Sequence, residues 1–337
     1  MAISRILSKT EIEGVYSAAN SAIWHSHHSA GSASKKVTRE EDYVAELVRL
    51  GIPFLADRLE SILQNRGLSI RVSGVFCHGH PRVRFSSART PIELADLLVV
   101  HQHAGINRTT ARAMLVQAKM STDATHRLSS SDDQLKLFSS WLKFEFVSGG
   151  LKPGLRELNE VGKGSRYALV LKQHAFPEDI SWPEQCPWAA SPAVQLLSAE
   201  ASFARLIGNM VLGKDGRSVN LYRPKDDWSK TIKELLEITG QRTFKRANIG
   251  LDNTSRLTTG GAVTDALLFS QSKNFLESSS RSRRKAVVDS FFRNGVNSEG
   301  GGTKVMSPQE REVEDPEGGI SALIIETQET DQRLEPE

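Results

Sequence analysis

Two short apolar runs, Leu97-Leu98-Val99-Val100 and Ala113-Met114-Leu115-Val116, constrain this chain more than any other feature. A polar loop over residues 104–112 separates them, so they read as adjacent strands of one sheet. Asp96 opens the first run, and Gln117-Ala118-Lys119 closes the second. Side chains alternate along a strand, so Gln117 and Lys119 point to one face with Ala118 turned away. A carboxylate, an amide and an ammonium then meet at neighbouring strand ends. That is a constellation for holding a divalent metal beside a phosphodiester.

The flanking segments supply an α/β frame. Ser8 and Glu11 make a capping box that predicts a helix over 9–24, followed by a Ser/His/Ala-rich linker over 25–36. Thr38 and Glu41 make a second box, opening a helix with Val44, Leu47 and Val48 on one face. Gly51 and Pro53 interrupt that helix. Phe54, Leu55, Leu59, Ile62 and Leu63 then continue the pattern until Gly67. Strands are predicted over 68–76, 82–85 and 167–172, with an amphipathic helix over 131–146. The order of helix, strands, helix and strand indicates an α/β core over 37–176.

Beyond Pro177 the pattern turns mainly helical, with the clearest helices over 192–210 and 228–239 and Asp226 or Asp227 capping the second. Residues 278–292 form a basic segment containing Arg281, Arg283, Arg284 and Lys285. A Gly/Ser/Glu-rich stretch over 295–316 reads as a linker, and 320–325 adds an edge strand late in the chain. The predicted organisation is a helix and linker over 1–36, the core over 37–176, a helical region over 177–294 and a flexible acidic tail over 295–337.

Net charge is only +3, but residues 307–337 carry ten acids against two bases, leaving a clearly basic body. Such a body suits a polyanionic partner. No apolar stretch is long enough to cross a bilayer, and the N-terminus lacks a signal-peptide pattern. Only Cys77 and Cys186 are present, which argues against a disulfide scaffold and fits a reducing cytoplasm. No nucleophile elbow, dinucleotide loop or P-loop occurs, so a small-molecule α/β enzyme has no motif in its favour.

Asp96 with Gln117-Ala118-Lys119 resembles the core motif of the PD-(D/E)xK nuclease superfamily, in the form where Gln replaces the second acid. Gln134-Leu135-Lys136-Leu137-Phe138, on the helix after the lysine strand, resembles the Q-x-x-x-Y/F motif of RecB-like and Cas4-like nucleases. Leu94-Ala95 stands where the superfamily carries a proline before the aspartate. The resemblance implies a restriction-endonuclease-like core, a mixed sheet flanked by helices, and hydrolysis of phosphodiester bonds, of DNA first, with Mg²⁺ or Mn²⁺. Products would carry 5′-phosphate ends, and bacterial restriction or anti-phage defence is the implied setting.

In that scheme Asp96 is the central metal ligand, the Gln117 side chain and the Ala118 carbonyl add oxygens, and Lys119 orients water or neutralises phosphorane charge. Gln134 organises the metal water or the nucleic-acid strand. Superfamily members often carry a glutamate on the first core helix. At about 100° per residue, with Val44 at zero, Val48 falls at about 40° and Glu41 at about 60°, while Glu46 lies at about 200°. Glu41 therefore faces inward, either as a ligand or as a capping-box acid, with Glu46 in reserve. Glu93 is a further candidate. Cys77, His78 and His80 together with His101 and His103 lack the spacing of a zinc module and read as polar loop residues, His101 and His103 close enough to the cleft to touch phosphate. The basic segment at 281–285 could track a nucleic-acid backbone, and region 177–294 could meet DNA, an oligomer mate or a partner subunit. Because Gln117 removes a negative charge from the ligand set, a nucleic-acid-binding or scaffold subunit that has lost catalysis is the second reading.

Overall fold

The computed structural model describes residues 3–77, 81–88, 90–148, 150–172, 182–239, 268–269 and 319–329. The Ser8 capping box forms as predicted: Ser8 Oγ accepts the Glu11 N–H at 3.3 Å and the Glu11 carboxylate accepts the Ser8 N–H at 2.7 Å. Helix α1 then runs across Lys9–Ala33 and absorbs residues 25–33 of the stretch read as a linker, leaving 34–36 outside it. Its polar composition misleads, because Ser26 and His27 are fully buried and the His27 ring stacks on Tyr43 at 4.6 Å.

Helix α2, Glu40–Glu46, starts one residue later than the Thr38 box predicts. The Asp42 carboxylate accepts the Arg39 N–H at 2.9 Å, so Asp42 is the acid of the capping box that forms. Gly51 and Pro53 do not break the path either. A π-helical turn, Leu47–Gly51, joins α2 to α3, Ile52–Leu63. Pro53 sits in the first turn of α3, where a missing N–H costs least. Gly67, at φ 65°, ends the helical path.

The main sheet is mixed. Its long strands are β1 (Leu68–Val75), β2 (Leu97–Ala104), β3 (Thr109–Ser121), β4 (Ser165–Leu171), β5 (Trp188–Ser191) and β6 (Ser321–Glu329). Among the described residues the strand order is Ala201–Ser202, β5, β4, β3, β2, β6, β1, Leu268–Phe269, with Arg217–Ser218 joined to β3. β2 and β3 are antiparallel, with Leu97 opposite Val116, and their connection shrinks from the predicted 104–112 to 105–108. β4 runs parallel to β3, with Gln117 beside Tyr167.

The largest departure from expectation is β6. The sequence places a strand over 320–325 at an edge and assigns it to a flexible tail. Instead it lies in the middle of the sheet, parallel to β2 and antiparallel to β1. Residues 321–327 are all buried. A strand covered on both faces carries a continuous apolar run, as Ala322-Leu323-Ile324-Ile325 does.

Two helical differences have local causes. Helix α4 spans Asp133–Ser140 and stops where Trp141 adopts φ 44°, after which Phe144–Phe146 is a strand. Helix α5 spans only Phe203–Val211, because Ser202 caps it by accepting the Arg205 N–H at 3.0 Å. The stretch before it holds the strands Leu196–Ser198 and Ala201–Ser202, so the described part of the region read as mainly helical also feeds the sheet. Helix α6, Asp227–Thr239, begins as predicted, with Asp226 accepting the Ser229 N–H at 2.8 Å. The basic segment at 281–285 and the linker at 295–316 lie outside the described residues.

Helices cover both faces. Leu97, Val99, Val116, Leu323 and Ile325 pack with α1, α2, α3 and α5. Leu98, Val100, Leu115, Ala322 and Ile324 pack with α4 and α6. β1 approaches α3 closely: a Cβ on Gly74 would lie 2.0 Å from the Ile52 methyl and 3.0 Å from the Ala322 carbonyl oxygen. Gly74→Ala is therefore expected to destabilise the fold by about 1–3 kcal/mol, read as a lower denaturation midpoint. An unchanged midpoint would mean that β1 and α3 can part without loss.

Candidate active site

The ends of four strands meet at one edge of the two helical layers. β6 and β2 begin there and β1 ends there, while β3 continues past Val116 with, among the described residues, only β4 paired beside it. In a parallel pair, alternate residues turn both backbone groups to the same neighbour. Leu115 N–H bonds Gly164 on the β4 side, whereas the Val116 carbonyl accepts the Asp96 N–H at 3.0 Å. Ala118 and Met120 thus present N–H and C=O to the open edge. Carboxylates occupy it: Asp96 Oδ2 accepts the Ala118 N–H at 2.6 Å, and Glu40 accepts the Met120 N–H at 3.3 Å.

Asp96, Gln117 and Gln134 form one connected chain. Gln117 Nε2 donates to Asp96 Oδ2, and Gln134 Nε2 donates to Gln117 Oε1. Gln134 Nε2 also donates to the backbone carbonyl of Glu93 at 3.1 Å. Helix α4 delivers Gln134 because Asp132 caps it, accepting the Leu135 N–H at 2.8 Å. Phe138, the aromatic of the Q-x-x-x-F string, is fully buried and packs against Tyr167 at 5.6 Å, pinning α4 to β4.

Glu41 and Asp96 line one small cleft together with Val44, Glu93, Phe76, Cys77 and Ser321. The inward assignment of Glu41 agrees with this placement. Its carboxylate pairs with Arg39 at 2.9 Å, and its side chain is 11% exposed. Glu46 turns elsewhere: it is fully buried and bonded to Arg49 at 2.7 Å. Burial, with the charges of Glu41 and Glu40, raises the Asp96 carboxyl to about 7, against the lowering by the Ala118 N–H and the Lys119 ammonium. Lys119 is half-buried and, by strand alternation, shares the face of Gln117.

Some expectations are not met. The Gln117 oxygen is turned to Gln134, so the amide presents hydrogen, not a ligand oxygen, to Asp96. His101 and His103 lie away from the cleft, toward the far end of β2, with His101 opposite Arg112 and roughly 17 Å along the strand from Asp96. They are buried, and both bond Thr327 Oγ1 at 3.0 Å. Burial holds His101 down at about 3, so it is neutral. His78 and His80 lie outside the described residues.

Sequence reasoning missed Glu40 and Ser321. The first was hidden by placing the helix start one residue early. The second comes from a distant strand: Ser321 Oγ accepts the Cys77 N–H at 3.1 Å and donates to the Cys77 carbonyl at 2.6 Å, closing the cleft wall. Among the described residues no three His, Cys, Asp or Glu side chains converge closely enough to hold a metal together, and no helix is long and apolar enough to cross a membrane. No protein-family model, curated protein or solved structure matches this chain, so its functional reading rests on its own residues.

Proposed function

We propose that this chain is a metal-dependent nuclease that hydrolyses phosphodiester bonds, with DNA as substrate and a restriction-endonuclease-like core as scaffold. The observation that carries the reading is the convergence of Asp96, Gln117, Gln134 and Glu41 at one sheet end. Those residues are spread over β3, two helices and the loop before β2. Helix, strands, α4 and the parallel strand β4 also follow the order that the resemblance implies.

Two carboxylates, Asp96 and Glu41, with the open-edge carbonyl of Ala118 make an all-oxygen donor set. Magnesium uses one or two carboxylates when water and phosphate complete its shell. Burial first, and the charges of Glu41 and Glu40 after it, disfavour the Asp96 carboxylate, and a cation would favour that charged form. When bound, Mg²⁺ or Mn²⁺ would supply Lewis-acid stabilisation and an acidified water. Lys119 brings an ammonium to the same strand end, where it steadies charge building on the phosphoryl oxygens. Ala118 N–H and Gln117 hold Asp96 in place. Arg82 and Arg84 project to solvent from a strand paired with Ile92–Glu93, just before Asp96, and offer contacts to a polyanionic backbone. Region 177–294 is the proposed surface for an oligomer mate or partner subunit.

Plasmid DNA incubated with Mg²⁺ or Mn²⁺ tests the proposal beside Lys119→Ala. Cutting should fall by roughly 10²–10³-fold in the variant while binding is retained. The inward-facing Gln117 hydrogens favour a second reading, a nucleic-acid-binding subunit without catalysis. Binding by both proteins with no cutting by either would select it.

A further inference from the structure

We infer that Gln117 is a fixed hydrogen-bond donor to Asp96 rather than a metal ligand, and that Gln134 is the positioning residue that fixes it. The argument starts from an atom whose role has no alternative. The Glu93 backbone carbonyl can only accept, so the Gln134 atom that faces it must be the amide nitrogen. That same NH₂ group reaches Gln117, so the Gln117 atom it meets must be the oxygen. The other end of the Gln117 amide, its NH₂, is therefore the end turned to Asp96 Oδ2. Direction passes from a main-chain carbonyl through two side chains to a carboxylate. Reversing Gln117 alone would set its oxygen against Asp96 and its hydrogens against those of Gln134, losing both bonds at once.

Asp96 Oδ2 then takes two N–H donors, from Gln117 and Ala118. Oδ1 is the oxygen left for the cleft, where Glu41 also lies. A cation at this place would be held by Asp96 Oδ1, Glu41 and the Ala118 carbonyl, with Gln117 outside its shell. The assignment of those ligands rests on the metal-site reading above, whereas the relay itself does not.

The test uses the ¹⁵N-labelled full chain without metal, the Gln117 and Gln134 side-chain amide signals being assigned from Gln117→Leu and Gln134→Leu. The Gln117 amide hydrogens should exchange with water roughly tenfold more slowly than those of the exposed Gln195. Gln134→Leu should remove that protection while the backbone spectrum stays folded. Adding Mg²⁺ should shift signals around Asp96, Glu41 and Ala118 and leave the Gln117 amide protected. Exchange at Gln117 as fast as at Gln195 in the wild type would overturn the relay. Protection lost on adding Mg²⁺ would show that the amide turns over and makes Gln117 a ligand. If Mg²⁺ shifts nothing, the metal site fails and the relay stands on the metal-free spectrum. Should Gln134→Leu not fold, the wild-type exchange and the Mg²⁺ titration still decide between donor and ligand.

Discussion

Asp96→Asn is expected to abolish metal-dependent cleavage, by roughly 10²–10³-fold or more, and at the same time to make the protein harder to unfold at pH 8. The asparagine oxygen can accept the same two N–H groups, from Gln117 and Ala118, that Oδ2 accepts. Its NH₂ then faces Glu41 in place of a like charge. The sign follows from the direction of the shift. The Asp96 carboxyl is raised in the fold from 3.8 to about 7, so its favourable contribution is complete below about pH 4 and is lost as pH rises through about 7. Above that pH the wild type carries a crowded carboxylate that Asn lacks. The variant's gain is about 2 kcal/mol at pH 8, after allowing for the partial contact of Asp96 with solvent, and close to nothing at pH 4. Urea midpoints of both proteins at the two pH values measure it. A variant that is less stable at pH 8 than at pH 4, relative to wild type, would show that Asp96 is not crowded.

Removing residues 319–337 is expected to leave no cooperatively folded protein. β6 forms ladders with both β1 and β2, and its Ala322, Leu323, Ile324 and Ile325 are buried. Three large aliphatic side chains together with Ile320 contribute roughly 6–12 kcal/mol of burial, comparable with the whole stability of an ordinary domain. Deletion also takes away Glu326, whose carboxylate meets Arg71 at 2.7 Å with both side chains almost fully buried. An uncompensated buried charge alone costs about 3–5 kcal/mol. Circular dichroism and a thermal scan of the truncated chain would read the result. A sharp unfolding transition near that of the full chain would show that the sheet can close without β6.

The neighbourhood of Asp96 was legible in the sequence because its parts are local. Two apolar runs, an acid at one end and Q-x-K at the other define a strand pair whose alternation fixes which side chains share a face. Glu41 and Gln134 were legible from helical phase and order. Three things were not. The start of α2 depended on whether Glu41 takes the Thr38 N–H or Asp42 takes the Arg39 N–H, and both fit the capping-box spacing. The extension of α1 depended on burial of Ser26 and His27, residues that usually mark exposed turns. The place of β6 depended on pairing across the chain, which no local pattern encodes. Its unbroken apolar run was nevertheless a usable sign of a strand buried on both faces.

The position of β6 also sets the order in which a newly made molecule becomes complete. Cys77 and Ser321, which together close the cleft wall, are 244 residues apart. At about 5–20 residues per second of synthesis, a growing chain carries Asp96, Gln117 and Lys119 for on the order of ten seconds or more before Ser321 exists. Through that interval β1 and β2 lack the strand that belongs between them, and their edges are open to other chains. Long-range closure of this kind is slow and exposed to aggregation. The same delay means that a nascent chain holds the acids of the cleft without its wall.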